Sequence, residues 1–183
     1  MWKTEELKQY SVDLPDGTQE YAVKLLDGFL SKSWIDYLTF GETGTGGWSN
    51  GDGLIHCVRS AYDLESEDFR VSLLKHEAQH AQDLARYRQM SSADLEYRAK
   101  LVELIYSGER NLLCRFALQA GDSTAENGHA AAASRITAEV EALLHCARSA
   151  FGEIPTAQIQ DAARKLFVQS TQEAARKYLS SGA

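Results

Sequence analysis

Apolar and polar positions along the chain change rhythm near residue 63. Before it the apolar residues come in short runs. Tyr10 to Leu14 and Tyr21 to Leu26 flank Pro15-Asp16-Gly17, a turn-forming triplet, and this arrangement predicts a β-hairpin. Trp34 to Phe40 reads as an extended or short helical segment, and Leu54 to Tyr62 as a further strand. Residues 41 to 53 hold six glycines. They lack a Gly-Lys-Ser/Thr ending and GxGxxG spacing, which excludes a nucleotide-phosphate loop. A mobile or strained loop is the expectation there.

After residue 63 the pattern turns helical. Ser66-Glu67-Asp68 supplies a cap and an acidic first turn for a helix to about Met90. Its apolar positions, from Phe69 to Ala85, only partly follow a helical stripe. Ser91 and Asp94 are spaced as a capping box for a helix ending near Ser107, before Gly108. Further helices are predicted over about Glu109 to Ala120, Ala130 to Ser149 and Thr156 to Leu179, with a polar loop at Gly121 to Gly128. Pro155 stands where proline is tolerated at a helix start. The fold class is therefore α+β: a small N-terminal antiparallel sheet packed on a larger helical body. One domain is expected over residues 1–183, β-rich to about residue 63 and helical from about residue 64.

Composition narrows the function classes. The formal net charge is −7, which argues against nucleic acid as the main partner, since phosphate binding relies on Lys and Arg. The apolar stretches fall short of a membrane span, and the first residues lack the apolar core of a signal peptide. Cys57, Cys114 and Cys146 form no CxxC pair and read as reduced, partly buried thiols. A cytoplasmic protein is expected.

The segment His76-Glu77-Ala78-Gln79-His80 fits HExxH. On a helix, a four-residue spacing sets two imidazoles about 40° apart and one turn apart, so both can reach one tetrahedral zinc ion. Glu77 lies about 100° round from His76. From there it reaches a water on the ion more readily than the ion itself. Zinc draws the pKa of such a water toward 7, and a carboxylate can then take its proton.

On these residues the chain resembles the HExxH zinc metallopeptidases of the gluzincin branch. The alternative branch has a third histidine six residues after the second, and here that position is Arg86. The resemblance implies a glutamate from the next helix as third ligand. Glu96 and Glu103 are seven apart and share a face. The family tends to carry a small residue three positions after the ligand. Glu96 has Ala99 there and Glu103 has Tyr106, which favours Glu96 and leaves Glu103 as the alternative metal ligand. The one that is not a ligand is then a solvent-exposed or salt-bridged side chain. Gly46 to Asp63, Leu74 to Asp83 and Leu95 to Lys100 also look like small bacterial gluzincin-like proteins of unassigned activity. The resemblance implies a zinc-dependent hydrolase of peptides or proteins, with Glu77 as general base. It also implies that the strand before the motif edges a cleft.

Asp83, three residues after His80, is a candidate to orient a ligand imidazole, or else a charge on the helix surface. His129 opens a helix after a polar loop and is a candidate donor to the oxyanion of the transition state. Tyr62 is a weaker candidate for that role, and His56 and His145 read as structural. The competing functional reading is a zinc-bearing binding or regulatory module with little hydrolysis. A helical interaction protein with a chance motif is a third.

Overall fold

In a computed structural model of the chain, residues 2–28, 47–49, 54–121 and 128–179 are described. The segment Trp34 to Phe40, most of the glycine-rich loop and residues 122–127 lie outside them. The chain divides into two compact units, Met1–Ala81 and Gln82–Ala183. The boundary falls inside a helix and not at the change of pattern near residue 63. The architecture is α+β and mostly helical.

The first unit is built on the expected hairpin. Strands β1 (Thr4–Leu14) and β2 (Gly17–Asp27) pair antiparallel over their whole length. They are joined by Pro15 and Asp16, and Leu14 pairs with Gly17. Gly17 has φ +121°, a region open to glycine and strained for other residues. Tyr21, Val23 and Leu25 alternate inward along β2, the period-two signature of a half-buried strand.

Two further strands complete a sheet in the order β1-β2-β4-β3, where β3 is Gly47–Ser49 and β4 is Leu54–Val58. The pairing of β4 with β2 is parallel and that of β3 with β4 antiparallel. This corrects two expectations. The sheet is mixed, not antiparallel, because β1 occupies one edge of β2 and β4 takes the other in the same direction. Gly47–Ser49, expected in a loop, is an edge strand. The β run is also shorter than expected, since Arg59–Ala61 forms a 3-10 turn.

The predicted helix from Ser66 is two pieces. Asp68–Lys75 is π-helical, and α1 (His76–Arg86) follows without a break. Ser66 caps the start as expected, its hydroxyl accepting from the Phe69 amide at 3.2 Å. A π-helix bonds i to i+5 and turns less per residue. Phe69, Val71, Leu73 and Leu74 are all buried within it. That explains why their spacing fits an α-helical stripe only in part. The Phe69 ring lies 5.5 Å from Tyr10 and 6.1 Å from Tyr62, which packs this segment on the sheet within the unit.

The second unit is helical: α2 (Ser92–Tyr106), α3 (Leu112–Gln119), α4 (Gly128–Leu144) and α5 (Thr156–Ala174), with a 3-10 segment at Arg148–Glu153 and a π-helical end at Ala175–Leu179. Each differs from its predicted bounds by a few residues, as helix ends commonly do. Ser91 caps α2, its hydroxyl accepting from the Asp94 amide. Every residue of α2 from Tyr97 to Ile105 is buried, including Arg98, Lys100 and Glu103. It packs against α4 and α5 and is the central helix of its unit.

Candidate metal centre

The first unit carries the histidine pair. His76 and His80 sit one turn apart at the start of α1, with their Nε2 atoms 2.9 Å apart. Their rings are nearly perpendicular, at 84° with centroids 4.6 Å apart. His76 is buried and His80 half-buried. Glu77 beside them is half-buried. Two nitrogens on a tetrahedral zinc, each at about 2.0–2.1 Å, stand roughly 3.3 Å apart. The observed separation is within about half an ångström of that, so small side-chain rotations would seat an ion. The backbone of this turn is held from the sheet: the Tyr21 hydroxyl of β2 donates to the Ala78 carbonyl at 2.9 Å. Ala78 itself is fully buried. Gln79 is fully buried too, and its side-chain nitrogen and oxygen make no hydrogen bond among the described residues.

The second unit carries the glutamates. Glu96 lies in the first turns of α2, largely buried, and its Oε2 is 2.7 Å from Nδ1 of His129. His129 is the second residue of α4 and half-exposed. The two helices approach closely at this point. A Cβ on Gly128 would come within 2.9 Å of Ser92 Oγ and 3.6 Å of Glu96 Cγ. His129 therefore stands against a candidate ligand, a placement that its expected role as oxyanion donor did not anticipate. Glu103 is buried, not solvent-exposed, near the charge of Lys100. Burial pushes the Lys100 ammonium below its usual pKa, with Glu103 and Glu96 opposing that shift. Lys100 donates to Gln119 at 2.9 Å and lies over the Phe116 ring.

Asp83 is not a charge on the helix surface. It is buried and accepts from Arg98 Nε at 2.8 Å, and both side chains are 2 % exposed. Arg98 also donates to Ser170 and Thr171, each at 2.9 Å, and stacks 4.3 Å over Phe167. Sequence reasoning missed Arg98 altogether, because nothing in its neighbourhood marks a charged residue as a core one. Tyr62 packs edge-on against Phe69. His56 is a strand residue of β4. His145 follows the end of α4 with φ +51°. The three cysteines are free, and burial pushes the Cys57 thiol up to about 11.

No family model matches the chain, and neither a curated protein nor a solved structure does. Among the described residues, no helix is long and apolar enough to cross a membrane.

Proposed function

We propose that the protein is a zinc-dependent hydrolase, a peptidase of the gluzincin type, with His76, His80 and Glu96 as metal ligands and Glu77 as general base. The observation that carries it is the convergence of the two Nε2 atoms, 2.9 Å apart, on the helix that also bears Glu77. Two imidazole nitrogens from His76 and His80 and a carboxylate oxygen from Glu96 would make the donor set of a catalytic zinc with a position left open. Such an ion, when bound, supplies a Lewis acid and draws the pKa of a coordinated water toward 7.

The rest of the chemistry belongs to the chain. Glu77 shares the first turn of α1 with both histidines and is half-buried. It would be the group to take the proton from a water held by such an ion. A carboxylate can then return that proton to the leaving amine of a peptide. The Tyr21–Ala78 hydrogen bond fixes the turn on which all three residues ride. A site whose supporting backbone is fixed loses less freedom on reaching the reactive geometry.

The test is metal analysis together with turnover on a mixed peptide library. The parent should carry about one zinc per chain. Changing His76 or His80 to Ala should remove most of it, since two remaining ligands make a poor site. Glu77→Gln should keep the zinc and abolish cleavage, because an amide of nearly the same shape cannot accept the proton. Full zinc in both histidine variants would place the metal elsewhere. Normal turnover in Glu77→Gln would remove that residue as the base.

A further inference from the structure

We infer that His129 is a positioning residue for Glu96: it holds the carboxylate in one orientation and so raises the affinity of the site for a divalent metal ion. The inference rests on the metal reading above and adds a residue that sequence reasoning assigned to a different task.

The placement of His129 is not explained by core packing, since half of its side chain is exposed. What it touches is Glu96 Oε2, at 2.7 Å, on a carboxylate whose own side chain is only 13 % exposed. The start of α4 is brought in close enough for this contact by a glycine. Gly128 sits where a Cβ would press on Ser92 Oγ. An alanine there is accommodated only by rotation of the Ser92 hydroxyl or a small shift of the helix.

The physical consequence follows from side-chain freedom. A glutamate has three torsions to fix when it ligates, and a long side chain loses up to about 2 kcal/mol of rotamer freedom when ordered. An imidazole nitrogen standing 2.7 Å from one oxygen limits those torsions before an ion arrives, and the other oxygen could then coordinate. Partners of this kind, outside the ligand set, commonly change metal affinity by about 10- to 100-fold when removed. An oxyanion donor behaves differently, since its loss lowers turnover and leaves metal affinity alone.

The experiment is zinc competition with a chromophoric chelator on the full chain. It compares the parent, His129→Ala, His129→Asn, Glu96→Ala and the double variant His129→Ala/Glu96→Ala. Far-UV circular dichroism serves as a check on fold. His129→Ala should weaken zinc binding by about 10- to 100-fold. His129→Asn should recover most of the loss, since its amide NH2 stands near the position of Nδ1 and can donate to the carboxylate. In the Glu96→Ala background, His129→Ala should cost nothing further. Unchanged affinity in His129→Ala overturns the inference. So does failure of Asn to rescue, or an equal loss in both backgrounds, which would make the imidazole a direct ligand. If the parent takes up zinc through His76 and His80 but ignores His129, only this inference falls. If His76→Ala leaves binding unchanged, or the parent binds no zinc, the metal reading falls and this one with it.

Discussion

Replacing Asp83 by Leu should cost the protein about 3–5 kcal/mol, and the reason lies in what Arg98 would be left with. The carboxylate and guanidinium are each 2 % exposed and 2.8 Å apart. Two unit charges about 4 Å apart at an effective dielectric of about 20 attract by about 4 kcal/mol. Water cannot reach the guanidinium to replace that attraction. Ser170 and Thr171 still accept from it, but neutral hydroxyls compensate a charge only in part. Breaking a buried pair by removing one partner typically costs 3–5 kcal/mol, against 0–1 kcal/mol for a pair in water.

Unfolding in urea, followed by circular dichroism at 222 nm, reports the helices of the second unit. With a slope of about 2 kcal/mol per molar, typical for urea, the midpoint should fall by roughly 2 M. The second arm is the double variant Asp83→Leu/Arg98→Met. It removes both charges, and the hydroxyls of Ser170 and Thr171 keep the Phe167 carbonyl as partner. Apolar replacement of a whole buried pair is often neutral or stabilising. The double variant should therefore return to within about 1 kcal/mol of the parent. A midpoint shift in Asp83→Leu of less than about 0.5 M would refute the reasoning, because it would place the pair in the exposed class. A double variant as unstable as the single one would show that shape, and not charge, was being measured.

Gln79→Met should raise the thermal midpoint of the protein, because both polar atoms of the buried amide go without a hydrogen bond among the described residues and methionine fills a similar volume; a fall by several degrees would reveal a partner for that amide. Asp94 has its carboxyl held below the usual range: burial raises it, but hydrogen bonds from Lys177, Tyr178 and Ser91 together outweigh that. A depressed carboxylate contributes stability above its unfolded pKa of about 3.9 and loses it as pH falls through the lower folded value. Asp94→Asn should therefore be less stable than the parent at pH 7, and the gap should close in melts below about pH 4; a constant gap would count against the linkage. Cys57, buried and pushed up to about 11, should resist iodoacetamide at pH 8 in the folded protein while Cys114 and Cys146, both partly exposed, react. Mass spectrometry showing three rapid adducts before unfolding would contradict its burial.

Local signals carried much of this fold into the sequence, and non-local ones did not. The hairpin at Pro15-Asp16-Gly17 and the Ser91 cap are set by residues within a turn of one another, and both are present. The parallel partner of β2 is distant in the chain, and no residue in Leu54–Val58 states its direction. The π-helical stretch left a trace, the imperfect stripe from Phe69 onward, which reads as noise unless a wider turn is considered. The histidine pair was legible because its geometry is intrahelical. The contact of His129 with Glu96 was not, since it joins positions on two helices and depends on a glycine whose neighbour is visible only in three dimensions. Arg98 was the least legible, because charge predicts the surface and only a partner such as Asp83 reverses that.

The burial of Arg98 has a consequence for Glu96 that stability alone does not capture. The two residues lie on one helix, two positions apart, so their side chains leave α2 about 200° from each other. Asp83, Ser170, Thr171 and the face of Phe167 hold the guanidinium from several directions. A side chain hydrogen-bonded through two nitrogens and stacked on a ring resists rotation of its helix about its own axis. Fixing that rotation fixes the direction in which Glu96 leaves the helix to meet His129. Apolar side chains could fill the same space with no loss of stability, yet they slide and rotate more easily than a guanidinium whose Nε and Nη1 are hydrogen-bonded to three side chains. The double variant Asp83→Leu/Arg98→Met separates the two contributions. If, on the proposed metal reading, it regains both the stability and the zinc affinity of the parent, the buried pair is simply a way of filling the core. If stability returns while zinc affinity stays reduced, the pair sets the orientation of α2, and the charge buried in the core serves the carboxylate near its end.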